Sequence, residues 1–230
     1  MSVDQAPSSV ASNKDLILDL GERLCVLVLF AIFVNRMLPQ FWQLVHAQLA
    51  YPELIFALAG LNAQALLLIL SEGLDVLLII IRRRSPSLSS HPLDWALCFL
   101  AVSLPLMISR APAGNLIPAE MATAMMMIGL VLQIAAKVAL WRSFGYVPAN
   151  RGIKVGGPYR ILRHPMYAGY IITHVGFLLG FPLNQNAALY AAAFAIQVAR
   201  IIREEKLLSQ DAAYKNYVAR VRYRLLPGVF

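Results

Sequence analysis

Two polar stretches of this 230-residue chain carry residue types that commonly bind ligands. The first, residues 151–169, reads R-G-I-K-V-G-G-P-Y-R-I-L-R-H-P-M-Y-A-G. Its adjacent glycines let the backbone approach a ligand closely, and its two prolines stiffen the loop at two points. The second stretch, residues 200–208, reads R-I-I-R-E-E-K-L-L at the end of an apolar run. We therefore predict that these stretches form a ligand site and are more than connecting loops.

The spacing within the second stretch allows two interpretations. Arg200 and Glu204 are four residues apart, so a helix places them one turn apart on the same face. One interpretation is an ion pair on a solvated helix, worth about 0.2–0.5 kcal/mol. The other is a functional site, because the adjacent carboxylates Glu204 and Glu205 are costly near a membrane.

The composition indicates that the elements positioning these stretches lie in a bilayer. Hydrophobic residues make up 59% of the chain and charged residues 14%, against roughly half and a quarter in globular proteins. Period-2 alternation, which marks membrane barrels, does not occur. We predict an all-α, polytopic membrane bundle of about six transmembrane helices, the last two forming a hairpin. The predicted spans lie near residues 16–38, 52–81, 94–109, 117–141, 166–182 and 186–202.

The basic residues predict the orientation of this bundle. Of the 20 Lys and Arg residues, three follow the second span, five follow the fourth and seven lie at or after the end of the sixth. The intervening loops hold only Arg36 and Arg110. Cytoplasmic loops are enriched in basic residues, so we predict that both termini and the active site are cytoplasmic. The net charge of +8 then reflects the basic cytoplasmic loops, and we do not expect nucleic-acid binding. Arg82–Arg84 are expected only to set the topology and to touch anionic headgroups.

Two acidic residues fall inside the second predicted span. Glu72 and Asp75 are three residues apart, and intramembrane acids are functional candidates by default. No histidine stands at ligand spacing, so we predict no metal site. A pairing with Lys137 or Arg142 of the fourth span, or a helix–helix hydrogen bond, is the favoured interpretation.

A series of blocks near the C-terminus resembles a known family. G-P-Y-R-x-x-R-H-P-x-Y-x-G is followed by an apolar hairpin, R-x-x-R-E-E-x-x-L, Y-x-x-Y and Y-R-L-L-P-G. This order resembles the isoprenylcysteine carboxyl methyltransferase family, which groups with membrane phospholipid N-methyltransferases. The resemblance covers roughly residues 140–230. It implies a methyltransferase core over 116–230, with a cofactor loop at 142–165 and an amphipathic tail at 203–230, preceded by generic spans over 1–115.

The resemblance also implies a cofactor and site residues. The cofactor is S-adenosylmethionine, and the acceptor is a lipophilic or lipid-linked molecule entering from a bacterial inner membrane or the endoplasmic reticulum. Arg200 is implied as the catalytic residue that contacts the acceptor carboxylate, with Arg203 beside it. The implied cofactor-binding residues are Ile153, Lys154, Gly157, Tyr159, His164, Pro165, Met166, Tyr167, Glu204 and Glu205.

The chemistry of a carboxylate acceptor agrees with these residue types. A carboxylate is already ionised at neutral pH, so methyl transfer to it needs no general base. Catalysis would then consist of alignment and desolvation, with the planar fork of Arg200 fixing the carboxylate. Two departures bear on the substrate: Arg151 stands where many family members have His, and residues 210–213 lack a glycine common in the family.

Three alternatives remain at this level. The first alternative is a methyltransferase whose acceptor is a phospholipid amine or a small thiol, for which His164 could accept a proton. A second alternative is an NADPH-dependent sterol-reductase-like enzyme, because that class ends similarly to residues 223–227. The third is a non-catalytic membrane scaffold.

Overall fold

The chain folds into a bundle of helices. The computed structural model describes residues 13–50, 55–85, 87–109 and 114–228, and these ranges contain helices and no strand, which confirms the all-α prediction for this part. Short 3-10 turns follow α3 and α4, and another spans Gly157–Arg160. The seven α-helices of these ranges are α1 (Asn13–Ala50), α2 (Ile55–Ile81), α3 (Pro92–Ser103), α4 (Ala119–Leu140), α5 (Pro165–Gly180), α6 (Asn184–Leu208) and α7 (Ala212–Arg220).

Each predicted span coincides with one of the helices α1–α6, but α1 is longer than predicted. The first span was predicted to end near residue 38, just before Pro39. The helix continues through Pro39 to Ala50, so Arg36 lies within α1 and not in a loop. The Arg36 guanidinium donates a hydrogen bond to the carbonyl of Leu106. The other residue assigned to these loops, Arg110, lies outside the described residues.

Local sequence explains where the shorter helices begin. Proline occupies the first position of both α3 and α5, where its missing N–H costs no intrahelical bond. His91 caps α3 by accepting a hydrogen bond from the backbone N–H of Leu93 at 3.2 Å. Asp211 caps α7 in the same way through the N–H of Ala213, at 2.7 Å.

Buried ion pairs connect α1 and α2 to each other and α2 to α4. Arg82 is buried and forms ion pairs of 2.6 Å with both Asp19 and Glu22 near the start of α1. The expectation that Arg82 only touches headgroups is therefore wrong, because burial leaves it no contact with lipid; Arg83 and Arg84 are exposed. Pairing of the intramembrane acids with the fourth span is confirmed for Asp75, which lies 2.9 Å from Lys137.

Helices α1–α6 alternate in direction. The ends of α2 and α4 meet, with the N–H of Arg83 donating to the carbonyl of Arg142 at 2.8 Å. At the opposite end of the bundle, the side chain of Asn186 in α6 donates to the carbonyl of Ser109 after α3, at 2.9 Å. One end, hereafter the basic end, therefore collects residues 82–91, 141–164 and 209–228.

Glycines allow α4 and α5 to pack very closely. A Cβ placed on Gly169 of α5 would lie 2.8 Å from the carbonyl oxygen of Gly129 in α4, well inside contact distance. Beside this contact, Gln133 donates a hydrogen bond of 2.9 Å to the hydroxyl of Thr173. Small residues combined with interhelical hydrogen bonds are typical of packing within membranes. This contact fixes the start of α5 against α4.

The outward surfaces of the helices are apolar. Two helical segments of the described residues, Ala63–Ile81 and Ala119–Ser143, are long and apolar enough to cross a bilayer, and Pro92–Met107 is a shorter apolar helix. Large apolar side chains are exposed along these helices and along α1 and α6, as a lipid-facing surface requires. Examples are Leu24, Val28, Ile32, Leu70, Phe99, Val131, Phe194 and Ile202.

We predict that Gly169→Ala destabilises the protein by about 1–3 kcal/mol, because the added methyl group forces α4 and α5 apart. The control is Gly73→Ala in α2, where a Cβ meets no atom within 4 Å. That change should be neutral or should stabilise by up to about 1 kcal/mol through helix propensity. The measurement is the unfolding midpoint in detergent. Equal effects of the two substitutions would contradict the close helix contact.

Candidate active site

Tyr146, just after α4, is held by groups from four other helices. Its N–H donates to Glu22 of α1 at 2.8 Å, and its hydroxyl donates to Asp75 of α2 at 2.7 Å. Its carbonyl accepts hydrogen bonds from Cys98 of α3 at 2.9 Å and from Arg200 of α6 at 3.0 Å. Tyr146 therefore fixes the start of the 142–165 loop and the Arg200 guanidinium relative to one another.

Arg151 anchors the same loop to α1. Its guanidinium lies 3.2 Å from Glu22, which also pairs with Arg82. Burial lowers the pKa of Arg151 to about 10, although the Glu22 charge acts in the opposite direction. Arg151, which stands where many members of the resembled family have histidine, anchors the loop to α1 through Glu22.

Helix α7 covers the middle of the loop. Gly157 has φ +58°, a backbone conformation that favours glycine. The hydroxyl of Tyr217 in α7 donates to the carbonyl of Tyr159 at 2.8 Å, and both tyrosines are buried. Ile153 packs against the cluster formed by Tyr214 and Tyr217. The amphipathic tail predicted from the sequence thus contacts the predicted cofactor loop directly.

Glu205 is the centre of an ionic cluster at the start of α5. It lies 3.1 Å from both Arg163 and His164, and 2.9 Å from Arg224 of the tail. The backbone is bonded here as well: the N–H of Arg163 donates to the carbonyl of Tyr223, and the N–H of His164 donates to the carbonyl of Arg224, both at 2.9 Å. Burial raises the pKa of Glu205, but the hydrogen bonds from His164 and Arg224 outweigh it and lower the pKa to about 2. Glu205 therefore joins α6, the loop and the tail.

Glu204 and Arg200 both contact Tyr167, the first at its hydroxyl and the second over its ring. The Tyr167 hydroxyl donates to Glu204 at 3.4 Å, and the Arg200 guanidinium carbon lies 5.3 Å from the Tyr167 ring centroid. This second distance is within the range of a cation–π contact. Among the described residues no ion pair joins Arg200 to Glu204, so the simple helix-surface pairing considered from the sequence does not form.

A cavity of about 630 Å³ lies between helices α1–α6. Its lining is mostly apolar, with a few polar side chains that include Glu72, Tyr170, Gln197 and Arg200. Arg200 is the one predicted site residue that lines it; the other eleven, all within the described ranges, lie outside this lining. The structure therefore brings the predicted residues together in one region, with Arg200 between that region and the cavity.

Some predicted site residues make contacts that their spacing did not suggest. Arg203 forms an ion pair with the buried Asp94 of α3 and has 27% of its side chain exposed. His164 is buried and bonded to Glu205, away from the cavity lining. Met166 packs between two apolar clusters, and Pro165 begins α5. Lys154 is half-buried.

Sequence reasoning missed several residues of this region. The carbonyl of Tyr146 holds Arg200, but any residue has a carbonyl, so no sequence signal marks it. Glu22 was missed because the loop residue it binds, Tyr146, is 124 residues away. Tyr217, by contrast, belongs to the Y-x-x-Y block and to the amphipathic tail that the sequence indicated. No group of three or more potential metal ligands occurs among the residues that the structure describes.

We predict that Glu205→Gln lowers the free energy of unfolding at pH 7 by about 3 kcal/mol, since it leaves the guanidinium groups of Arg163 and Arg224 without a counter-charge. The pKa of Glu205 is depressed on folding, so its contribution is present above pH 4.5 and is lost as pH falls toward 2. The difference in the free energy of unfolding between wild type and variant should therefore shrink as the pH is lowered from 4.5 toward 2. Unfolding midpoints in detergent at several pH values test this, and an advantage that does not change with pH would contradict it.

The region around these residues matches a known family. Residues 117–215 match the family model for phospholipid methyltransferase, and this span contains every predicted site residue. No curated protein gave a match to the chain. Methyltransferases of this family use S-adenosylmethionine, and enzymes resembling isoprenylcysteine carboxyl methyltransferase share the family. Residues 117–215 therefore form a domain of the phospholipid methyltransferase family, and the chain is an S-adenosylmethionine-dependent methyltransferase.

Proposed function

We propose that this protein transfers a methyl group to the carboxylate of a lipophilic acceptor that occupies the cavity between α1 and α6. The observation that carries the proposal is the position of Arg200. Its guanidinium lines the cavity and also lies over the ring of Tyr167, whose hydroxyl bonds to Glu204. A single cationic side chain thus connects a lipid-sized apolar space with the predicted cofactor residues.

The donors and acceptors near Glu204 fit the cofactor. S-adenosylmethionine carries ribose hydroxyls and an amino group that need an acceptor, and Glu204 is half-buried beside Tyr167. Tyr159 and Tyr167 supply aromatic rings, and Gly157 has no side chain to cover its own backbone. We propose that these residues hold the cofactor with Ile153, Lys154, His164, Pro165 and Met166. Glu205, held by Arg163, His164 and Arg224, supports them as a positioning residue.

The cofactor, when bound, supplies an electrophilic methyl group, and the chain's own residues supply alignment. Arg200 has charge and hydrogen-bonding capacity left for a carboxylate, because its hydrogen-bond partners among the described residues, the Tyr146 carbonyl and the Cys98 thiol, are neutral. The carboxylate is ionised at neutral pH and needs no proton acceptor. The apolar cavity wall excludes water and strengthens the interaction with Arg200.

The arrangement of helices supports a six-span topology. The three basic segments lie together at the basic end, next to the predicted cofactor residues, as a cytoplasmic active site would require. We propose that both termini are cytoplasmic and that residues 116–230 form the catalytic core. Residues 1–115 would close the acceptor cavity, since α1, α2 and α3 all contribute to its lining.

A lipid amine is the second candidate acceptor, and one observation favours it. Glu72 also lines the cavity, whereas its neighbour Asp75 is ion-paired with Lys137 at 2.9 Å. An acidic group in an apolar cavity suits a cationic amine headgroup. Parallel transfer assays with a lipid carboxylate and a lipid amine distinguish the two acceptors.

We predict that Glu204→Gln weakens S-adenosylhomocysteine binding by about tenfold or more, because the amide removes the negative charge that accepts the cofactor's donors. Calorimetry on detergent-purified protein measures this. Glu120→Gln, an exposed acidic residue at the start of α4, is the control and should bind as the wild type does. Unchanged binding in Glu204→Gln would contradict the assigned role.

We predict that Arg200→Met retains S-adenosylhomocysteine binding within about threefold but lowers transfer to a lipid carboxylate by about 100-fold or more. Cofactor binding serves as the check that the variant is folded. Lys206→Met on the exposed side of α6 is the control and should keep its activity. Equal losses of cofactor binding and transfer in Arg200→Met would contradict the division of roles between Arg200 and Glu204.

A further inference from the structure

One face of α6 carries a stripe of buried side chains that runs from the hairpin to the basic end. Its members recur every three or four residues, so they share one side of the helix. Polar groups are costly in an apolar bundle unless they find partners. Its buried members are Asn186, Tyr190, Ala193, Gln197 and Arg200, and the half-buried Glu204 continues the same face at the basic end.

The polar members of this stripe differ in how they are satisfied. Asn186 at the hairpin end donates to the carbonyls of Ser109 at 2.9 Å and Phe181 at 3.0 Å, and its oxygen accepts from the N–H of Ser109. Arg200 donates to the carbonyl of Tyr146. These two residues thus have protein partners that account for their burial.

Gln197 is the exception among these groups. Its side chain lines the cavity and is only 5% exposed, yet its buried Oε1 has no hydrogen-bond partner among the residues that the structure describes. An unsatisfied buried acceptor costs about 1–3 kcal/mol, so a core residue without another role would be apolar here. A donor on a molecule within the cavity would remove this cost.

We infer that Gln197 is an acceptor-binding residue that recognises a hydrogen-bond donor, an amide N–H or a hydroxyl, located next to the carboxylate held by Arg200. Gln197 and Arg200 are three residues apart, so their Cα atoms are separated by about 4.5 Å along the helix axis. This inference rests on the proposed carboxylate acceptor and narrows it to an acceptor with two adjacent polar groups followed by an apolar chain. Simple fatty acids lack the second group.

The test uses two lipids that differ only in this donor. N-dodecanoylglycine presents an amide N–H near its carboxylate, and the ester analogue dodecanoyloxyacetate has an oxygen in place of that N–H. Binding of each lipid is measured by calorimetry on the full chain with S-adenosylhomocysteine present. Wild-type protein should bind the amide about tenfold more tightly than the ester, the value of one buried hydrogen bond.

The variant Gln197→Met keeps the side-chain length and removes the acceptor. It should bind the ester at least as tightly as the wild type does and should lose the preference for the amide. Unchanged binding of S-adenosylhomocysteine checks that it is folded. Equal binding of the two lipids by the wild type, or a preference that persists in Gln197→Met, overturns this inference alone. Binding of neither lipid overturns it together with the carboxylate acceptor.

Discussion

The buried charge of Arg200 is the constraint on which the site depends. A guanidinium in an apolar cavity must be compensated, and a carboxylate partner would neutralise it. Among the described residues Arg200 instead contacts a carbonyl, that of Tyr146, and an aromatic ring, that of Tyr167. These contacts stabilise the cation without cancelling its charge. The side chain therefore stays available for an anionic ligand.

Keeping Arg200 in this state requires residues far from it in sequence. The carbonyl of Tyr146 is in place because Glu22 binds its N–H and Asp75 binds its hydroxyl. Glu22 and Asp75 are themselves neutralised, the first by Arg82 and the second by Lys137. The N-terminal helices thus act on the site through buried ion pairs, although the family match begins only at residue 117. Truncation of these helices would remove both the cavity wall and the groups that position Tyr146.

Much of this architecture could be predicted from the sequence, and the exceptions have a common cause. Helix positions follow from long apolar runs, and the Asp75–Lys137 pair follows from the cost of intramembrane charge. The ordered motifs also predicted that the proposed cofactor residues lie in one region. The contacts that were not foreseen, such as Arg203 with Asp94 and Arg82 with Glu22, join residues far apart in sequence. Side-chain partners of this kind depend on how the helices pack, which local periodicity does not encode.

Arg200 and Glu204 are proposed to bind different ligands, Arg200 the acceptor and Glu204 the cofactor. An experimental structure of the protein with both S-adenosylhomocysteine and a lipid carboxylate bound would show both contacts. We expect the adenosyl ligand to contact Glu204 and the lipid carboxylate to contact the Arg200 guanidinium, with the lipid chain filling the cavity between α1 and α6. A lipid headgroup bound elsewhere, with Arg200 still facing an unfilled cavity, would contradict it.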